Sequence, residues 1–105
     1  MVNNEIRIEF EYGFDEEDAD NINLRISEIE TFCEDTLFEH DIYYIDDTAS
    51  IFEISFQSKW KAPIDSLQEL CEKMNCSIIG ISFDFPSEYV ASFKITPDNI
   101  DLSYV

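Results

Sequence analysis

Apolar and charged residues alternate at the start of the chain. Over residues 5–12 the apolar positions, each separated from the next by a charged residue, are Ile6, Ile8, Phe10 and Tyr12. A period of two predicts a strand with one buried and one solvated face. Comparable alternation predicts strands at 51–57, 79–85 and 89–95, and a last segment, 100–104, that can add an edge strand, while the apolar run at 42–45 predicts a short strand. The apolar face of the 79–85 strand is predicted to comprise Ile79, Ile81, Phe83 and Phe85.

Two other segments have the spacing of an amphipathic α-helix. Between residues 18 and 35, apolar side chains recur at steps of four, three and four, at Ile22, Ile26, Ile29 and Cys33. The carboxylates just before this stripe suit the positive end of a helix. Pro63 is predicted to open a second helix, over residues 63–75, where its missing N–H needs no partner. The second apolar stripe comprises Ile64, Leu67, Leu70, Cys71 and Met74.

The order of these elements predicts the fold class. A β-α-β-β-α-β order with an extra C-terminal strand indicates an α+β protein of ferredoxin-like type, in which two helices cover one face of a mostly antiparallel sheet. We expect a sheet of four or five strands. Since the chain has 105 residues and no break in composition, residues 1–105 are predicted to form a single acidic α+β domain.

Residues 54–95 carry a family resemblance. An aromatic motif of the form Phe-x-x-x-Trp-x-x-Pro precedes the second helix and a following hairpin, and the residues that match are Phe56, Lys59, Trp60, Pro63, Leu67 and Leu70. This pattern resembles the YubB-type ferredoxin-like domain of plasmids and phages. The resemblance implies a ferredoxin-like fold and a mobile-element origin, and it implies no catalytic site. Family members usually have a glycine in the hairpin turn, where this chain has Pro86-Ser87-Glu88.

Charge sets this chain apart from an ordinary small domain. It contains 24 acidic and 6 basic residues, a formal net charge of −18, whereas designed small domains usually aim for a magnitude of about 2–8. Residues 1–53 hold 17 acids and 2 bases, whereas residues 54–105 hold 7 acids and 4 bases. Such charge repels nucleic acid and anionic membrane. The expected partner is therefore a basic, nucleic-acid-binding protein such as a nuclease or nucleoid protein, with no direct nucleic-acid or membrane contact and with homodimerisation left open.

Cysteine usage indicates a reducing compartment. The chain has three cysteines, Cys33, Cys71 and Cys76, which is an odd number, and none of them belongs to a CxxC pair. We therefore expect buried free thiols rather than a disulfide framework. The N-terminal sequence has no basic and apolar leader pattern, and no apolar run is long enough to span a bilayer. The cytoplasm of a host cell is the predicted location.

The side chains that carry common enzyme chemistry are scarce. His40 is the sole histidine, expected to be exposed just ahead of a strand, and with two glycines no nucleotide-binding glycine loop can form. Asp15–Asp20 lacks the glycine of a calcium loop. Trp60 lies between two lysines and is expected to pack at the strand–helix junction rather than to stack on nucleic acid. We therefore predict no catalytic residues, no cofactor and no metal site.

These observations favour a binding protein over an enzyme. Carboxylates on the first strand, in the acidic segment and on the first helix could imitate the phosphates of DNA and occupy a basic groove. In charge and size alone, the chain resembles the small acidic DNA-mimic inhibitors of phages, which implies inhibition of a restriction or CRISPR nuclease or of a nucleoid protein. The alternatives are an antitoxin-like or chaperone-like binder of a basic protein, or an acidic domain without mimicry. The predicted partner-binding residues are Glu5, Glu9, Glu11, Asp15, Glu16, Glu17, Asp18, Asp20, Glu28, Glu30, Glu34, Asp35, Asp46 and Asp47.

Overall fold

The structure is a computed structural model that describes residues 1–104. Within those residues the chain is α+β, with two α-helices and six strands. In chain order the elements are β1 (Val2–Phe10), α1 (Ala19–Thr36), β2 (Phe38–Ile45), β3 (Ile51–Ser58), α2 (Ile64–Met74), β4 (Cys76–Asp84), β5 (Tyr89–Ile95) and β6 (Ile100–Tyr104). Both predicted helices and the α+β class are confirmed.

All strands belong to one sheet in the order β2-β3-β1-β4-β5-β6, and every neighbouring pair is antiparallel. Since β1 and β2 both pair with β3, they run parallel to each other with β3 between them. Likewise β3 and β4 are parallel, with β1 between them. The expectation of four or five strands is wrong, because β5 and β6 both extend the sheet beyond β4.

One core holds the sheet and both helices together. In β1 every second side chain is buried, and Ile8 is completely inaccessible to solvent. The same cluster includes Ile29 of α1, Leu67 of α2 and Phe93 of β5, so both helices lie on one face of the sheet. The other face has no covering layer in the described part of the chain and is called the open face below. Cys33, Cys71 and Cys76 are free and buried, as predicted.

In β4 the structure buries the alternate set of side chains, not the set that the sequence predicted to be buried. Ile78 and Ser82 point into the core, while Ile79 and Ile81 lie on the open face, 43% and 41% exposed. Gly80 explains this choice, because a Cβ there would collide with the ring of Phe93. The ring therefore fills the space beside Gly80 in the core, and the apolar residues on either side of the glycine turn outwards.

Three further expectations are wrong. Trp60 is 87% exposed instead of packed, and Ala62 is the buried residue at the junction before α2. Strand β2 begins at Phe38, so His40 lies inside the strand and is partly buried. Phe85 is not a strand residue: it begins a short 3₁₀ turn and is 73% exposed. Of these three residues, only Phe85 was placed by periodicity, and the alternating pattern of β4 continues one residue beyond the end of the strand at Asp84.

Candidate functional site

The most acidic region forms at one end of the sheet, where the β1–α1 loop meets the β2–β3 turn. The Phe10 amide donates to the Ser50 carbonyl at 2.8 Å, and the Phe14 amide donates to the Thr48 carbonyl at 2.9 Å. Gly13 allows this approach, because a Cβ there would collide with Thr48. We call this region the acidic end, and it comprises Glu11, Asp15, Glu16, Glu17, Asp18, Asp20, Asp46 and Asp47.

Arg25 of α1 fixes the acidic loop to the body of the protein. Its guanidinium carbon lies 3.9 Å from the centroid of the Phe10 ring and 4.1 Å from that of Phe14. The same Nη1 donates to the carbonyls of Tyr12 and Ala49, each at 3.0 Å. One side chain thus joins α1, the acidic loop and the β2–β3 turn. Although Arg25 is basic, its guanidinium contacts rings and carbonyls and forms no salt bridge with a carboxylate in residues 1–104.

Local hydrogen bonds also order the loop. The Glu17 amide donates to Asp15 Oδ1 at 3.0 Å, and the Asp18 amide donates to the Asp15 carbonyl at 2.9 Å. Asp18 is the N-cap of α1 and accepts from the Asn21 amide and side chain, at 3.4 and 2.8 Å. Asp15 and Asp18 therefore shape the loop, while Glu16 and Glu17 project from it into solvent.

Asp46 serves the structure of the β2–β3 turn. Its Oδ2 accepts from Thr48 and Ser50 hydroxyls at 2.7 and 2.6 Å, and its Oδ1 accepts from the amides of Ser50 and Ile51, both at 2.7 Å. Partial burial would raise the pKa of Asp46, but these four hydrogen bonds outweigh it and lower the pKa to about 2. Both oxygens are occupied, so Asp46 is not available as a phosphate-like group. The neighbouring Asp47 is exposed.

The acids of α1 continue the acidic end along the helix. Glu28, Glu30, Glu34 and Asp35 are all exposed. Helix α1 has 18 residues, so the array extends over about 27 Å. Glu28 and Asp35 line a groove of about 310 Å³ between the two helices, which also contains Lys73. Glu30 and Glu34 lie outside this groove.

Glu5 and Glu9 are separated from the other candidates by the sheet. They lie on the open face, opposite the face that α1 covers, and Glu9 Oε1 pairs with Arg7 Nε at 3.1 Å. That is the one salt bridge within residues 1–104. The sequence therefore predicted a single acidic surface that the fold divides into two.

The open face has features that sequence reasoning missed. Glu53 lies directly opposite Arg7 across the β1–β3 pair. Tyr43, Ile79 and Ile81 surround a shallow apolar depression between Glu5 and Glu53. Burial and the nearby charges of Glu53 and Glu5 raise the pKa of the Tyr43 phenol. Gly80 is the sequence feature that could have indicated this surface. Because it has no side chain on the core face, its neighbours Ile79 and Ile81 point to the open face.

The end of the sheet opposite the acidic end exposes basic and aromatic side chains. Lys59, Trp60 and Lys61 lie in the loop between β3 and α2, and all three are exposed. The acidic end and the two lysines of this loop therefore lie at opposite ends of the sheet.

Other types of site were sought across residues 1–104. No group of three or more His, Cys, Asp or Glu side chains there is placed to hold a metal ion. Neither α1 nor α2 is long and apolar enough to cross a membrane. No protein-family model, curated protein or solved structure matches the chain significantly.

Proposed function

We propose that this protein binds a basic, nucleic-acid-binding protein and competes with DNA or RNA for its positively charged groove. The observation that carries this proposal is the acidic end together with α1: a surface of carboxylates that form no salt bridge within residues 1–104, with its loop held in place by Arg25. Within residues 1–104 the two bases of the acid-rich half are engaged elsewhere, Arg7 with Glu9 and Arg25 with aromatic rings.

The dimensions of the array support competition with a nucleic acid. Its length of about 27 Å along α1 equals the axial length of about eight base pairs of B-DNA. A basic groove that binds phosphates through lysine and arginine would form charge-assisted hydrogen bonds with these carboxylates instead. The residues proposed to contact it are Glu11, Asp15, Glu16, Glu17, Asp18, Asp20, Glu28, Glu30, Glu34, Asp35 and Asp47.

Rigidity distinguishes this surface from a disordered acidic tail. The loop is anchored by backbone hydrogen bonds to the β2–β3 turn and by the Arg25 side chain. Because the backbone of the loop is fixed before binding, less conformational entropy is lost when a partner docks than for a disordered tail. We propose a role in counter-defence by a mobile element, against a restriction or CRISPR nuclease or a nucleoid protein.

Two finer assignments belong to this proposal. The β2-β3-β1-β4 order, with two interleaved split β-α-β units, supports a ferredoxin-like fold extended by β5 and β6. The Phe56, Trp60 and Pro63 motif supports a relationship to the YubB-type domain. The exposure of Trp60 makes this residue a surface feature of that motif rather than a packing residue.

The test is competition combined with a matched charge substitution. A partner captured from bacterial lysate and purified should bind either labelled duplex DNA or this protein, and never both. Changing Asp15, Glu16, Glu17 and Asp18 to Asn or Gln should weaken binding and flatten its dependence on salt, by about one unit of log–log slope per lost ion pair. Asn retains the capping oxygens of Asp15 and Asp18, so folding should be preserved.

The control set removes the same charge from sites outside the proposed binding surface, by substituting Asp65, Asp84, Glu88 and Asp98. It should leave binding within a few-fold. Equal losses from both sets would show that net charge alone matters, and a ternary complex with DNA would overturn the competition proposal.

A second candidate function rests on the open face. Ile79 and Ile81 are exposed beside Glu5 and Glu53, a combination that suits an antitoxin-like or chaperone-like contact with an apolar and basic segment of a protein. Under this alternative, Ile79→Lys and Ile81→Lys together should abolish partner binding. The acidic-end substitutions should then have little effect, so one pair of variants separates the two functions.

A further inference from the structure

The two edges of the sheet differ in how they are protected against pairing with another strand. Natural edge strands are usually blunted by bulges, charges or irregular backbone. Edge strand β2 has all three, since its pairing with β3 is interrupted by two register shifts. It also carries Glu39 at a positive φ of 53°, followed two residues later by Asp41.

Edge strand β6 has no register shift and no residue at positive φ, and Asp101 is its one charged side chain. Its register with β5 is continuous from Ala91–Tyr104 to Ile95–Ile100. On the face that the helices cover elsewhere, β6 presents Ile100, Leu102 and Tyr104, of which Tyr104 is 62% exposed. The sheet thus extends beyond the helix layer, and apolar side chains stand at an uncovered, regular edge.

Charge at this edge is balanced, unlike that of the rest of the protein. Strands β5 and β6 contain one basic and one acidic side chain, Lys94 and Asp101, which lie directly opposite each other in the sheet. Opposite charges at such positions are mutually favourable. In a chain of net charge −18, this neutral edge is a place where two copies can approach without repulsion.

We propose that β6 pairs antiparallel with β6 of a second copy, around a two-fold axis at Leu102, to form one continuous sheet. In this register Leu102 faces Leu102 of the partner, and Ile100 faces Tyr104 of the partner. Asp101 faces Ser103 of the partner, so no two carboxylates are directly opposed. The strand is self-complementary, which a two-fold interface requires, and strand addition supplies backbone hydrogen bonds along the whole edge.

Long-range repulsion does not oppose this arrangement. Strand β1, which leads into the acidic end, is three strands from β6. At about 4.8 Å per strand, the two β1 strands of the dimer are about 34 Å apart. That separation is several times the Debye length of about 8 Å at physiological ionic strength. The acidic surfaces would lie outside the new interface and remain accessible.

Cysteine cross-linking tests both the contact and its register. Paired Cα atoms on antiparallel strands are about 4.5 or 5.5 Å apart, within the range for a disulfide, so Leu102→Cys should form a covalent dimer on mild oxidation. In Asp101→Cys the two thiols belong to residues offset by two positions, with Cα atoms about 8 Å apart, and cross-linking should be much weaker. The native thiols are buried and do not compete.

Sedimentation of the uncross-linked protein gives an independent measurement. The 12.3 kDa chain should sediment as a concentration-dependent dimer. Ile100→Lys with Tyr104→Lys places lysines opposite each other and should raise the dimer Kd by about tenfold or more, although it lowers the net negative charge. Tyr44→Lys on β2 is the matched control and should leave the dimer intact.

A monomer at every concentration would overturn the proposal, as would equal cross-linking of the two cysteine variants. The dimer is independent of the proposed competition with nucleic acid. Its contacts are neutral and should persist as salt rises, whereas binding to a basic partner should weaken steeply. Each measurement can therefore fail without affecting the other.

Discussion

Arg25 stacks on Phe14, with its guanidinium carbon 4.1 Å from the ring centroid. The contact joins α1 to the loop that carries most of the acidic end. A cationic group over an aromatic face is stabilised by the ring quadrupole, and here the same group also donates to two backbone carbonyls. Arg25 therefore adds a side-chain anchor to the backbone hydrogen bonds that order the acidic loop.

Arg25→Ala should loosen the acidic loop. Loss of the stacking and of two charge-assisted hydrogen bonds should lower the free energy of unfolding by about 2 kcal/mol. The Phe14 amide, which bonds to Thr48, should exchange its hydrogen faster. Arg25→Lys should rescue little, since lysine lacks the planar guanidinium that stacks on Phe10 and Phe14. Although the Ala variant is more acidic, it should bind a basic partner less tightly, and tighter binding would contradict the importance of loop order.

The buried pair of Asn4 and Ser82 should be coupled. Ser82 Oγ donates to Asn4 Oδ1 at 2.6 Å, and both residues are almost completely inaccessible to solvent. Ser82→Ala leaves the amide oxygen without this donor and should cost about 1–3 kcal/mol in denaturant unfolding. In a double-mutant cycle with Asn4→Val, the two losses should be clearly less than additive. Additive losses would show that the pair does not interact in solution.

Asp46 should make stability depend on acid pH. Its folded-state pKa of about 2 lies below the ordinary value of 3.8, so the carboxylate stabilises the folded state above about pH 4. This contribution is lost as the pH falls through 2. Asp46→Ala should cost about 1–3 kcal/mol at neutral pH, and its difference from the wild type should shrink between pH 4 and 2. Asp47→Ala, at an exposed neighbour, should show no such convergence.

Glu88→Gly should stabilise the protein. Glu88 follows the 3₁₀ turn at a φ of 56°, a left-handed conformation that costs a residue with a side chain about 1–2 kcal/mol. Glycine adopts it without that strain, so the midpoint of denaturant unfolding should rise. Glu88→Ala also removes the charge but keeps the Cβ atom, and it should yield no comparable gain.

Trp60→Ala should have almost no effect on stability. The side chain is 87% exposed, and surface substitutions away from special features usually change the free energy of unfolding by less than about 0.5 kcal/mol. A loss of several kcal/mol would restore the packing role that its position before Pro63 predicts. Lys59→Ala serves as the comparison in the same loop.

The sequence by itself determined the two helices and the α+β class. Ile29 and Cys33 in α1, and Leu67 and Cys71 in α2, follow the helical period and are buried as expected. Hydrophobic periodicity is local information, so it fixes which face of an element is buried whenever that face alone is apolar. The concentration of acids in the first half was equally visible, because charge is a property of composition.

Only the tertiary structure decided how these elements are distributed in space. In β4 both sets of alternate residues contain isoleucine, so periodicity alone does not say which set is buried. Ile78 is buried rather than Ile79 because the ring of Phe93, in a neighbouring strand, fills the space beside Gly80. Asp46 became a structural residue through donors in its own turn. The sheet placed Glu5 and Glu9 on the face opposite α1. Proximity in sequence to the acidic loop did not bring them near it in space, because alternate side chains of a strand point to opposite faces.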